Sequence, residues 1–199
     1  MKAAPAGPAP TDRTTPGLDD LGERICILGP SNSGKSTLAA AIERRRGLPA
    51  VHLDLLFHQP HTDWRPRPEA EFLRLHDQAI RQERWVMEGN YTRCLEARLQ
   101  RATGFFLLDA STPLSLLRYL RRTWFEHDRH GALPGARDSV KWSMLHHIAI
   151  ATPPKRRAHA LLFDGLDLPR IRLTTPAALT AFHRAEGLDE PRTPGAKTR

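Results

Sequence analysis

A chain of 199 residues suits one domain with a sizeable core and room for a small inserted segment. Its 30 lysines and arginines outnumber 22 acidic residues and leave a formal charge of +8, which points either to a nucleic acid or to a site holding polyphosphate and a second anion. No apolar run is long enough to cross a bilayer, and Cys26 and Cys94 alone make neither a disulfide framework nor a zinc knuckle, so a cytoplasmic location is expected.

Residues 1–22 carry Pro5, Pro8, Pro10 and Pro16 among small residues without an apolar period, which predicts a disordered leader and not a signal peptide. Arg24 to Leu28 is a short apolar run of the kind a buried parallel strand needs. Directly after it, Gly29-Pro30-Ser31-Asn32-Ser33-Gly34-Lys35-Ser36 fits the phosphate-binding pattern G-x-x-x-x-G-K-[ST] in full. Thr37 to Glu43 then reads as a helix with apolar positions at 38, 41 and 42. Strand, loop and helix in this order are the setting in which that pattern cradles phosphate. The glycines let successive amides turn inward, and the helix aims its positive end at the same point. Lys35 supplies a mobile charge for β- and γ-phosphates, and the Ser36 hydroxyl is placed to ligate Mg²⁺. The residues from Gly29 to Thr37 are therefore the candidate nucleotide-binding set, with ATP and Mg²⁺ as the implied cofactors.

Downstream, Ala50 to Leu53 reads as a strand ending at Asp54, followed by a helix from Glu69 to Gln82. Trp85-Val86-Met87 is a third strand, leading into Glu88-Gly89-Asn90-Tyr91, and a helix is expected over about 92–101. Phe105 to Leu108 is a fourth strand ending at Asp109. A helix from Pro113 carries Leu116, Leu117, Leu120 and Trp124 on one stripe until Gly131, Pro134 and Gly135 interrupt it. Helices resume near Asp138 and after Pro154; Arg170 to Leu173 is a fifth strand, and about 176–186 a last helix. A polar tail with Pro191 and Pro194 occupies 188–199. Strands alternating with helices imply a parallel sheet covered on both faces, with ligands gathered at the strands' carboxyl ends, where Gly29, Asp54, Glu88 and Asp109 stand. Neither His58 and His61 nor His146 and His147 have the spacing of a zinc site, while Trp64 and Trp124 are core candidates.

The run from Ile27 to Thr37, the His52-Leu53-Asp54 segment, Gln59-Pro60 with Trp64, and Trp85 to Tyr91 together resemble the FlaR-like, or DNA topology modulation, proteins of the adenylate-kinase-like P-loop group. The resemblance spans roughly residues 23 to 186. It implies an α/β P-loop NTPase fold of nucleotide-kinase type: a parallel five-stranded sheet of order 2-3-1-4-5 flanked by helices. The domain would occupy 23–187, with an arginine-bearing helical lid at about 122–157. Its fold implies phosphoryl transfer without settling the substrate; the leading reading is transfer of the γ-phosphoryl of ATP to a small acceptor, with nucleotides and nucleosides as candidates.

Under that resemblance, Asp54 would take a proton from an acceptor hydroxyl or orient Mg²⁺. Glu88 would hold Mg²⁺ through water at the end of strand three; Asp109 competes for this role, and Glu88 is favoured because strand three should adjoin strand one. Gly89, Asn90, Tyr91 and Arg93 are candidate acceptor contacts. Arg118 and Arg122 share a helical face beside Arg121 and match lid arginines; Arg156 and Arg157 match a second basic cluster. Either group could neutralise the moving phosphoryl. The rival reading is a nucleic-acid-associated ATP-binding protein whose basic stretch meets DNA or RNA phosphates, although no helix-turn-helix, zinc-finger or aromatic-sheet motif is present.

Overall fold

In the computed structural model, residues 16–62, 64–109 and 152–189 are described. Ile25 to Leu28 are fully buried, as a strand covered on both faces must be. This strand, β1 (Arg24–Leu28), lies between β3 (Trp85–Glu88) and β4 (Gly104–Leu108). β2 (Ala50–His52) adds outside β3, and β5 (Arg170–Leu173) outside β4. All pairings are parallel, and the order is β2-β3-β1-β4-β5, as the resemblance implied.

Side chains alternate across the sheet and build two cores. Ile25, Ile27, Val86, Phe106 and Ile171 pack with Leu38, Ala41 and Ile42 of α1 (Lys35–Arg46). Cys26, Leu28, Met87, Phe105 and Leu107 pack on the other face with Leu53 and Ile80. Both cysteines are free and buried, and burial pushes both thiols up, away from reactivity. Gly47 closes α1 in the left-handed region at φ 66°, its N–H donating to the Glu43 carbonyl.

Several boundaries differ from the sequence expectation. The predicted leader ends earlier than residue 22: Leu18 and Leu21 are buried in the first core around a 3₁₀ turn at Asp19–Leu21. Leu188, assigned to the tail, is buried in the same core. Short apolar residues isolated among polar ones carry no period, so their burial could not be read locally. The second strand stops at His52, and Leu53–Phe57 form a short helix, α2, which places Asp54 in a first helical turn instead of at a strand end. Helix α3 covers Glu69–Ile80. The helix expected over about 92–101 divides into a 3₁₀ turn at Thr92–Cys94 and α4 (Leu95–Leu99).

Helix α5 (Thr152–Gly165) begins before Pro154, since prolines in a first turn forfeit no intrahelical bond. Helix α6 (Pro176–Ala185) is capped by Thr175, whose hydroxyl accepts from the Ala178 N–H at 3.0 Å. The helices expected from Pro113 and Asp138 lie outside the described residues, as do Arg118, Arg121, Arg122, Trp124 and the paired histidines 146 and 147. Among the described residues no helix is long and apolar enough to cross a membrane.

The amino end of the sheet is tied together by arginines that donate to main-chain carbonyls. Arg24 reaches Arg101 and Glu83, Arg46 reaches Leu18 and Gly22, Arg84 reaches Arg46, and Arg101 reaches Ile80. Helix ends and strand starts meet here and leave carbonyls without ladder partners; guanidinium forks satisfy them. Part of the positive charge is thus structural.

Gly104 tests how the amino-terminal turn is seated. A Cβ there would lie 2.4 Å from both the Cβ and the carbonyl oxygen of Leu21. Gly104→Ala should lower unfolding stability by about 1–3 kcal/mol through overpacking, read from the urea midpoint. An unchanged midpoint would mean that the 16–22 segment does not pack on β4.

Candidate functional site

The turn leaving β1 has no space for a side chain. Gly29 sits at φ 153°, and a Cβ there would meet the Leu108 carbonyl oxygen at 2.3 Å. Asn32 adopts φ 63°, and Gly34, at φ 98°, caps α1. Ser33 N–H closes the turn onto the Pro30 carbonyl at 3.2 Å, and Lys35 Nζ donates to that same carbonyl at 2.9 Å. Leu38 N–H bonds to the Gly34 carbonyl at 2.9 Å, which leaves the earlier amides of α1 as the anion-facing donors of the helix start. Thr37 is exposed in that first turn. The cradle therefore has the backbone that phosphates of a nucleotide require.

Asn90 and Arg98 hold this cradle from the adjacent strand end. Asn90 Nδ2 donates to the Gly29 carbonyl at 2.6 Å, while its Oδ1 accepts from the Gly29 N–H at 3.2 Å. Its amide, expected to meet an acceptor, is spent on the loop. Gly89, at φ 136°, abuts Leu53: a Cβ would approach Leu53 Cβ to 2.8 Å. Arg98 is fully buried beneath it and donates through Nη2 to the Gly89 carbonyl at 3.1 Å. Its Nε and Nη1 have no hydrogen-bond partner among the described residues. Sequence reading missed this residue; the signal was an arginine between Ala97 and Leu99 of the short helix Leu95–Leu99.

Strand register delivers the acidic group. Glu88 lies opposite both Ile27 and His52, so its side chain reaches the start of α1. Glu88 Oε1 accepts from Ser36 Oγ at 2.9 Å, and His52 Nδ1 lies 3.0 Å from the same oxygen, where a ring N–H would donate. Burial alone would raise the Glu88 pKa; the His52 hydrogen bond, the Lys35 charge and the Ser36 hydroxyl outweigh it and hold the carboxyl below its ordinary value. His52 was not among the sequence candidates.

Asp109, the competitor, is occupied otherwise. Oδ1 accepts from Arg156 Nε at 2.7 Å and Oδ2 from Arg172 Nη2 at 2.6 Å. Burial pushes its pKa up, but the Arg172 and Arg156 bonds and charges pull it below the usual value. Asp109 thereby orients Arg156 toward the loop.

A cavity of about 420 Å³ opens beside the cradle, lined among others by Lys35, Asp54, Phe57, Tyr91, Arg93 and Arg156. Buried His159, one turn after Arg156, also lines it and was not foreseen. Tyr91 donates its hydroxyl to Asp54 Oδ1 at 2.6 Å. Burial and the Asp54 charge push the Tyr91 pKa up, so it remains a donor. Arg93 is exposed and paired with Glu69 at 2.9 Å. Half-buried Trp64 stacks edge-on against His58, outside both cores and the cavity lining. Arg118 and Arg122 lie outside the described residues.

The donor set suits a hard cation carried on phosphates. Ser36 and Glu88 supply two oxygens at the cradle, as Mg²⁺ favours. Among the described residues, no group of three or more His, Cys, Asp or Glu side chains is placed to hold a metal without further ligands.

Because the folded Glu88 carboxyl titrates below its ordinary value of 4.5, its stabilisation is full above about pH 4.5 and is lost as pH falls through the lower folded value. The urea midpoint of Glu88→Gln should therefore lie below that of the wild type at neutral pH, and the gap should close in acid. A gap that widened in acid would contradict the assignment.

No protein-family model and no curated protein matches the chain. Among solved structures, a kinase candidate from Chloroflexus aurantiacus j-10-fl is similar with a TM-score of 0.50 and 18% identity, covering 83% of this chain and 97% of its own. A gluconokinase from Sinorhizobium meliloti 1021 has a TM-score of 0.46 at 14% identity, covering 84% and 95%. A deoxyadenosine kinase from M. mycoides has a TM-score of 0.46 at 12% identity, covering 82% and 96%. The likeness is one of fold: the chain has the parallel, nucleotide-kinase-type α/β architecture of P-loop kinases.

Proposed function

We propose that this protein is an ATP-dependent phosphotransferase that moves the γ-phosphoryl group to a small acceptor. The observation that carries this reading is the Ser36–Glu88 hydrogen bond at the mouth of a complete phosphate cradle, beside a cavity that also holds Asp54. The amides from Ser31 to Thr37 receive the phosphates, Ser33 excepted because its N–H closes the turn onto the Pro30 carbonyl. Lys35 exchanges the Pro30 carbonyl for β- and γ-phosphate oxygens. Ser36, with Glu88 acting through water, would hold Mg²⁺, whose contribution is to neutralise those oxygens.

The acceptor oxygen forms the new bond to the γ-phosphorus as the bond to the bridging β-phosphate oxygen breaks. Asp54 takes the acceptor's proton and ADP departs. Arg156, aimed by Asp109, neutralises charge on the phosphoryl group; Arg118 and Arg122 are further candidates from the family resemblance. That FlaR-like resemblance, and with it a nucleic-acid role, remains the second reading. The guanidinium groups that cap carbonyls at the far end of the sheet lend it no support.

The test is ADP formation from ATP and Mg²⁺ across nucleosides, nucleotides and small hydroxylated metabolites, with detection of a phosphorylated product. Lys35→Ala should lower turnover by about 10²-fold or more with the thermal midpoint retained; unchanged turnover would refute the role of the lysine. Glu88→Gln should reduce Mg²⁺-dependent rate more than Asp109→Asn does, and the opposite ranking would exchange the two assignments.

A further inference from the structure

Resting on the phosphotransfer reading, we infer that the acceptor is an uncharged, ring-bearing hydroxyl compound of nucleoside type and not a nucleoside monophosphate. Three features at the acceptor end of the cavity lead there. The first is charge. Asp54 is exposed; Tyr91 occupies its Oδ1, and its Oδ2 makes no hydrogen bond among the described residues. Both guanidinium groups that line the cavity among the described residues are matched, Arg93 by Glu69 at 2.9 Å and Arg156 by Asp109 at 2.7 Å.

An exposed pair of this kind is weak, and Arg93 can leave Glu69 at little cost. The Glu69 charge nevertheless stays in place, so Asp54, Glu69 and Arg93 together present one net negative charge. A phosphate dianion entering here meets repulsion, whereas a hydroxyl meets a proton acceptor. Arg156 lines the same cavity, but its charge is already matched by Asp109 at 2.7 Å and is assigned to the γ-phosphoryl group.

The second feature is the wall. Phe57 and Tyr91 both line the cavity, with ring centroids 5.0 Å apart and planes inclined by 44°. Buried Phe72 backs both, at 5.3 Å from Phe57 and 5.1 Å from Tyr91. Aromatic faces fixed in this manner favour a base or sugar ring over a flexible chain. The third feature is Tyr91 itself. Its raised hydroxyl stays protonated beside Asp54, which fixes the carboxylate and directs the remaining oxygen to the substrate.

The experiment compares matched pairs, nucleosides against their 5′-monophosphates, with glycerol as a ringless hydroxyl control, using the full chain with ATP and Mg²⁺. Nucleosides should be phosphorylated with kcat/KM at least ten-fold above their monophosphates and above glycerol. Preference for monophosphates, or for glycerol, overturns the inference and leaves the phosphotransfer reading standing. No transfer to any nucleoside also overturns it. Lys35-dependent ADP release in the same samples then separates the two failures: if it persists, only the acceptor assignment falls, and if it is absent, both do.

Glu69→Gln supplies a second measure independent of folding. Removing that charge should shift the nucleoside-to-monophosphate ratio of kcat/KM toward the monophosphate by about three-fold or more, as expected for one charge in a largely solvated site. A ratio that did not move would overturn the charge argument.

Discussion

The seam between β1 and β3, continued past the ends of both strands, is the interaction on which the site depends. Inside the sheet it pairs Ile27 with Glu88; one residue on, Gly89 N–H still donates to the Ile27 carbonyl at 3.3 Å. Beyond that, the ladder is continued by a side chain, as the Asn90 amide takes both polar groups of Gly29. A loop that must present its amides to a ligand cannot satisfy itself with regular backbone bonds. Asn90 supplies the missing partners from the neighbouring strand and fixes where the loop begins. The same seam carries Glu88 to Ser36, so the phosphate cradle and the acidic group are positioned by one set of contacts.

Two acidic residues at the ends of the strands that flank β1 have opposite assignments because of what surrounds them. Glu88 faces one hydroxyl and one imidazole and retains an oxygen, Oε2, that makes no hydrogen bond among the described residues. Asp109 spends both oxygens on guanidinium groups, one from α5 and one from β5. Both carboxyls titrate below their ordinary values, but the causes differ: mixed neutral and charged partners for Glu88, two arginines for Asp109. A depressed carboxyl pKa therefore does not by itself mark a metal ligand. What separates the two is the partner set.

The excess positive charge also divides by surroundings. Among the described residues eight arginines, including Arg67, Arg98 and Arg170, donate to main-chain carbonyls. Arg98 is the extreme case, a fully buried cation holding the Gly89 carbonyl with two of its nitrogens unpartnered among the described residues. Burying a charge with incomplete compensation opposes folding. Its position directly beneath the Glu88-Gly89-Asn90 turn ties that cost to the geometry of the cradle.

The linear order of residues was enough for the phosphate cradle, for the five strands and for the α/β class, because each is a local pattern: a glycine-lysine spacing, apolar runs of strand length, breaks between them. It did not suffice for His52, Arg98, Arg172 or His159, which gain their meaning from neighbours 36, 9 and 63 positions away or, for His159, from facing the cavity. Asn90 and Asp109 were visible as candidates, but their partners were not: the Gly29 main chain for Asn90 and two arginines for Asp109. The burial of Leu18, Leu21 and Leu188 was likewise decided by packing on strands far along the chain. Local chemistry chose the elements; only the parallel register of the folded sheet, which brings distant side chains within hydrogen-bond reach, decided which of them act together.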